Sequence, residues 1–216
     1  MSFRKILVFY RIPIAVALLA LGFLIGFKLT WWVAWIPFLA ALVMIAAYFL
    51  IGPMTLIQGY MEAGDMEGAQ KLLKLVKYPQ YLYKPIRSTF YMLQANFSTL
   101  GEDLDLAEAQ LRKGLAAGMP EKELEGTAYL QLGGIAMRKG NSKEAYESFR
   151  KAVQLGLPDK DNEATAYLQL SAICIQRRDF RNGKIYFNKA KACKPTNAQV
   201  VEQIKEMTKY IARIPG

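Results

Sequence analysis

The word Thr-Ala-Tyr-Leu-Gln-Leu stands at residues 127–132 and again at 165–170, 38 residues further on. The same step carries Ile135 onto Ile173, Phe149 onto Phe187, Lys151 onto Lys189 and Ala152 onto Ala190. One step back, Ala107, Leu111, Gly114, Gly118 and Pro120 fall on Ala145, Phe149, Ala152, Gly156 and Pro158. A further step places Ala69, Leu73 and Val76 on the same lattice. Self-similarity at a fixed step of this size is the mark of a stacked repeat architecture.

Each unit reads as two helices. Residues 128–136 carry apolar side chains at helical spacing, with Gly133 and Gly134 where a neighbour must come close. Gly140-Asn141 marks a turn, and Glu144–Leu155 presents Ala145, Phe149, Ala152 and Val153 on one stripe. Gly156 suits a left-handed helix end, and Pro158 cannot continue the helix. A single hairpin of this kind cannot bury its stripe, whereas stacked neighbours bury it jointly. The segment from about Asn197 opens with Thr196-Asn197-Ala198-Gln199, a capping-box pattern. It then runs Val200, Val201, Ile204, Met207 and Ile211 along one side, as a terminal capping helix should.

With these residues in hand the body resembles the tetratricopeptide repeat (TPR) family. The third unit matches with Tyr129, Leu132-Gly133, Ala145, Phe149, Ala152 and Pro158, and the fourth with Tyr167, Leu170, Phe187, Ala190 and Pro195. Ser171, Gly183, Ala136 and Cys174 depart from the pattern. The second unit, with Tyr91, Ala107, Leu111 and Pro120, is a weaker copy, and the first, Met54 to Tyr78 with Gly64-Asp65 at its turn, is degenerate. The step exceeds the usual 34 residues or so, which places the extra length in between-repeat loops such as 158–163.

The first 52 residues differ in kind. They hold Arg4, Lys5, Arg11 and Lys28 and no acid, so all 18 acidic residues lie in the body. Apolar runs over 12–27 and 32–51, split only by a short turn, are expected to form an uncleaved antiparallel transmembrane hairpin. Arg4, Lys5 and Arg11 ahead of the first span set both termini and the solenoid on the cytoplasmic side, and Trp31, Trp32 and Trp35 suit an aromatic belt at the turn. The expectation is an all-α integral membrane protein, in a bacterial inner membrane: a hairpin over 1–52, then a solenoid of about four helix pairs over 53–216, capped from about 197. Gly22 and Gly26 form a small-xxx-small pair. It either packs the hairpin on itself or docks another membrane helix. Lys71, Lys74 and Lys77 are expected at anionic headgroups.

Composition limits the chemistry. There is no histidine, which excludes Ser–His and Cys–His nucleophile pairs and His-ligated metal sites. Two cysteines are too few for a disulfide framework. No glycine-rich phosphate loop or paired metal-ligand spacing is present, so neither an enzyme nor a cofactor is expected. Residues 102–125 are acidic and the fourth unit is basic (Arg177, Arg178, Arg181, Lys184, Lys189, Lys191, Lys194), but nucleic acid lacks any supporting motif.

The resemblance implies a concave groove lined by the first helices, with protein or peptide partners. Carried onto this chain it would include Gln94, Thr127, Gln131, Arg138, Thr165, Gln169 and Gln176. Leu130 and Gly134, with Leu168 and Ala172, stand where a carboxylate-clamping subtype has Lys and Asn. What remains is a ladder of Gln94, Gln131 and Gln169, whose amides both donate and accept. The expected role is a membrane-anchored adaptor recruiting a partner through this groove. The alternative is a structural subunit of a larger membrane complex, docked through the hairpin.

Overall fold

The computed structural model describes residues 10–28, 31–51 and 54–213. The chain divides into two compact units, residues 1–90 and 91–216. The expected boundary at Gly52, and the flanking charges Arg4 and Lys5, lie outside the described residues.

In the first unit α1 (Arg11–Lys28) and α2 (Trp31–Ile51) form an antiparallel pair. Pro13 sits in the first turn of α1, where its missing N–H costs nothing. Ala15, Gly22 and Gly26 are buried on α1, with Pro37 and Ala41 buried on α2. A Cβ on Gly22 would come within 3.0 Å of the Phe38 ring, and Phe38 meets Phe23 edge-on at 5.3 Å. The small-residue face is therefore the seam of the hairpin itself, and Gly22 is not free to receive another helix.

The expectation of an integral membrane protein, in a bacterial inner membrane with a cytoplasmic solenoid, is overturned. Among the described residues no helix is long and apolar enough to cross a membrane. Arg11 and Lys28 bound α1, leaving an apolar stretch of about 24 Å against the roughly 30 Å of a hydrocarbon core. Pro37 takes a backbone donor out of the α2 ladder one turn and a half from its start. Outward side chains of the pair are nonetheless apolar: Val16, Phe23, Leu24, Phe27, Ile36, Leu42 and Val43 are all more than half exposed.

Two short helices, α3 (Met54–Glu62) and α4 (Met66–Lys74), follow in the same unit, then a 3-10 turn at Pro79–Tyr81. Met54, Ile57, Ala69, Leu72 and Leu73 are buried there. Lys84–Leu100 forms α5.

The second unit continues with α6 (Leu104–Ala117), α7 (Lys122–Arg138), α8 (Ser142–Leu155), α9 (Lys160–Gln176), α10 (Phe180–Ala192) and α11 (Ala198–Ile211). Its core is a run of local clusters. Met92 and Ala95 pack with Ala107, Leu111, Ala128, Leu132 and Ile135. Ala136, Ala145 and Phe149 pack with Leu170 and Ile173, and Ala164, Leu168, Phe187 and Ala190 pack with Val200 of α11. Every cluster draws on successive helices, as nearest-neighbour stacking requires. Phe149 and Phe187 are 2% and 3% exposed.

The 38-residue register also fixes the turns. Asp65, Asp103, Asn141 and Asp179 cap α4, α6, α8 and α10, each accepting from the backbone N–H three residues on. The residue before each cap, Gly64, Glu102, Gly140 and Arg178, has φ between 62° and 77°. Each cap N–H then returns to a carbonyl five residues back, at 2.8–3.0 Å, closing the preceding helix. A second series at the same step, Gly118, Gly156 and Lys194, also has positive φ. The degenerate first copy thus keeps the turn of the others. The extra length does not lie in the loops. Only Gly118–Glu121 and Gly156–Asp159 separate α6 from α7 and α8 from α9, whereas α7 and α9 are 17 residues each. The α11 cap is Asn197, which accepts from Gln199 N–H at 2.9 Å, in place of a capping box.

Candidate protein-binding groove

Gln131 on α7 and Gln169 on α9 occupy the same register position in successive repeats, and both are half-buried. Gln94 on α5 is also half-buried but stands one residue out of this register, since the 38-residue step back from Gln131 reaches Leu93. Arg138 and Gln176, at the C-terminal ends of α7 and α9, are exposed. Thr127 and Thr165 behave differently. Their hydroxyls donate to the carbonyls of Glu123 (2.9 Å) and Asp161 (2.8 Å) one turn back, the local bond that helical threonine commonly makes. Those hydroxyls are engaged within their own helices.

Beside Gln169 lies a cavity of about 340 Å³ between α9 and α11. Leu168, Gln169 and Ala172 line it from α9, and Gln203, Glu206, Met207 and Tyr210 from α11. Its far wall is held in place by Asp161. That carboxylate accepts from Thr196 N–H at 2.6 Å, from the Thr196 hydroxyl at 3.0 Å and from Asn197 N–H at 3.0 Å. These donors, the Asn197 N–H foremost, hold its pKa below the usual aspartate value. Val200, Ile204, Met207 and Ile211 complete the seating of α11 on its neighbours. From sequence this segment is expected only to cap the repeats. The signal it carried is the polar set Gln203, Glu206 and Tyr210, at helical spacing beside the apolar stripe.

The charged runs are largely structural. Lys139 donates to Asp105 at 2.6 Å and to Glu108 at 2.8 Å, while Arg112 binds Glu108 at 2.9 Å and also Glu144. This cluster ties α6 to the α7–α8 turn and to α8. Lys139 and Arg112 hold the Glu108 carboxyl below its ordinary pKa. In the fourth repeat Arg177 donates to the Ser142 carbonyl at 2.8 Å and lies over the Tyr146 ring. Lys189 lies over Tyr167 and Tyr186, and Lys191 over Phe187, as cation–π pairs. In the first unit Lys71 pairs with Glu67 at 2.7 Å, and Lys74 and Lys77 are exposed. Burial pushes up the thiol pKa of Cys174 and of Cys193, so neither is poised as a thiolate.

A sequence model of the tetratricopeptide repeat family matches residues 126–155, from one turn into α7 to the end of α8. No curated protein matches the chain. Among solved structures, one reported as a functional characterisation of Pseudomonas aeruginosa PilF superposes with a TM-score of 0.59 at 14% identity. It covers 94% of this chain and 86% of that one. A chain from the APC/C hetero-tetramer Cut9–Hcn1 superposes with a TM-score of 0.55 at 17% identity, over 96% of this chain. This chain spans only 39% of that protein's length. At such identities the likeness concerns the fold. Among the described residues the chain is all-α, a TPR-like helical-repeat fold with a tetratricopeptide repeat recognised at residues 126–155.

Proposed function

We propose that the chain is a scaffold that recruits a protein or peptide partner through the face formed by its first helices, with Gln131 and Gln169 as the central contacts. One observation carries this reading. Two amide side chains recur at one register position on neighbouring first helices, both half-buried, and the second of them, Gln169, lines an open cavity. Such amides can pair with successive backbone groups of an extended segment. A photo-crosslinking amino acid at position 131 or 169 should capture a discrete partner in living cells, whereas one at Arg150, exposed on the second helix α8, should not. Equal capture at all three positions would defeat the groove reading.

The second reading is a structural subunit of a larger assembly, held through the α1–α2 hairpin. The exposed apolar side chains of the pair favour it, because contiguous apolar surface of this kind marks an interaction site. Leu24→Gln with Leu42→Gln alters that outer surface and leaves the Gly22–Phe38 seam alone. Under this reading the variant leaves its assembly. Under the scaffold reading it retains its groove-bound partner.

A further inference from the structure

The cavity between α9 and α11 has a composition that names its occupant. Its apolar surface comes from Leu168, which is 3% exposed, together with Ala172 and the half-buried Met207. At about 340 Å³ it lies at the small end of ligand pockets, which run from about 300 to 1,000 Å³. That is room for one large side chain with its flanking backbone. Gln169 and Gln203 supply amides on opposite walls that can hold that backbone.

The charge on this cavity is singular. Glu206 makes no ion pair among the described residues, whereas Glu202, one turn earlier, is paired with Lys205 at 3.3 Å. Glu206 is the ionised group that lines the cavity. At about 100° per residue, Lys205 lies on the opposite side of α11 from the 203–206–207–210 face, and Lys209, though an i,i+3 neighbour of Glu206, makes no ion pair with it among the described residues. A carboxylate with no ion-pair partner among the described residues, at an apolar mouth, locally favours a cation.

We propose that this cavity is a specificity subsite that takes a leucine-sized or aromatic side chain of an extended partner peptide, with a lysine or arginine two residues away held by Glu206. The spacing follows from extended backbone, in which residues two apart share a face at about 6.5–7 Å. The inference rests on the groove reading above and assigns its C-terminal end.

The test uses the full chain labelled with ¹³C in its methionine methyls, the Met207 resonance being assigned from Met207→Leu. The probes are the capped peptides Gly-Lys-Gly-Leu-Gly-Lys-Gly, the same with Ala for Leu, and the same with Glu for both Lys. The Leu–Lys probe should shift the Met207 methyl saturably. Loss of the leucine should weaken binding about 10-fold or more, and the Glu probe should bind about 5-fold more weakly. In Glu206→Lys the order of the Lys and Glu probes should reverse. A Met207 methyl that stays still, or equal affinity for Lys and Glu probes in both proteins, overturns the subsite. If the Met137 methyl on α7 moves while Met207 does not, the groove reading survives and the subsite alone falls. If neither methyl moves and the crosslinks at 131 and 169 also fail, both fall.

Discussion

Ser171 donates its hydroxyl to the Gly183 carbonyl over 2.7 Å, fully buried between α9 and α10. The third repeat has Gly133 and Ala145 at these two positions. Side-chain volume has moved from the second helix to the first, and the two departures from the repeat pattern form one unit. A Cβ on Gly183 would meet Ile175 Cγ1 at 2.8 Å, so the smaller residue is required where Ser171 and Ile175 stand.

Two substitutions test that unit. Ser171→Ala should cost about 0.5–1.5 kcal/mol for the lost bond. Gly183→Ala, which in an open helix interior gains about 1 kcal/mol, should here destabilise. Thermal unfolding of the two variants measures both signs. A stabilised Gly183→Ala protein would contradict the packing described.

In the third repeat the close approach is between Gly133 and Phe149. A Cβ on Gly133 would lie 2.6 Å from Phe149 Cε1. Gly133→Ala should cost about 1–3 kcal/mol through overpacking. The second repeat holds Ala95 and Leu111 at the matching positions, both buried. Gly133→Ala with Phe149→Leu copies that pair, and the double variant should lose at least about 0.5 kcal/mol less than the sum of the singles. Strict additivity in denaturant titrations would show that the two positions do not share one space.

Much of the fold was legible because repeat chemistry is local. The burial of Phe149 and Phe187 and the turns at Gly64-Asp65 and Gly140-Asn141 follow from periodicity and cap residues that read the same in any context. The spare length was misplaced because spacing alone cannot say whether residues extend a helix or a loop. Gly22 and Gly26 illustrate a second limit: a small-residue face looks alike whether its partner is the next helix or another protein. For Thr127 and Thr165, helical position was right, but the hydroxyls had a nearer acceptor one turn back. The half of the cavity supplied by α11 was hidden because its polar stripe gains meaning only once α11 packs on α9.

Glu102, Arg178 and Lys194 hold φ values of 62°, 62° and 51°, at positions where other repeats have glycine. L-residues pay for that conformation, by about 1–2 kcal/mol. Arg178→Gly and Glu102→Gly should therefore raise stability by about 0.5–1 kcal/mol each, after the extra backbone entropy of glycine. Arg178→Ala keeps the strain and should give no such gain. A fall in melting temperature for both glycine variants would contradict the backbone assignment.

Glu108 gives the solenoid a pH dependence. Lys139 and Arg112 lower its pKa from the ordinary 4.5, and its side chain is only 22% exposed. Because the folded value is the lower one, its stabilisation is in place above about pH 4.5. It is lost as pH falls through the lowered value. Wild type should exceed Glu108→Gln by about 1 kcal/mol at pH 7, and the gap should close towards pH 3. A gap that stays constant across that range would place the stabilisation elsewhere.

The central claim is that the first-helix face binds a partner, and one titration tests it most directly. The partner captured at position 131 or 169 would be titrated against the full chain and against Gln131→Ala with Gln169→Ala. Both side chains are half-buried without a core role, so the melting temperature should stay nearly unchanged. Two hydrogen bonds lost at about 0.5–1.5 kcal/mol each should weaken affinity by roughly 5- to 150-fold. Unchanged affinity in the well-folded double variant would contradict the account and remove the glutamine ladder from the binding face.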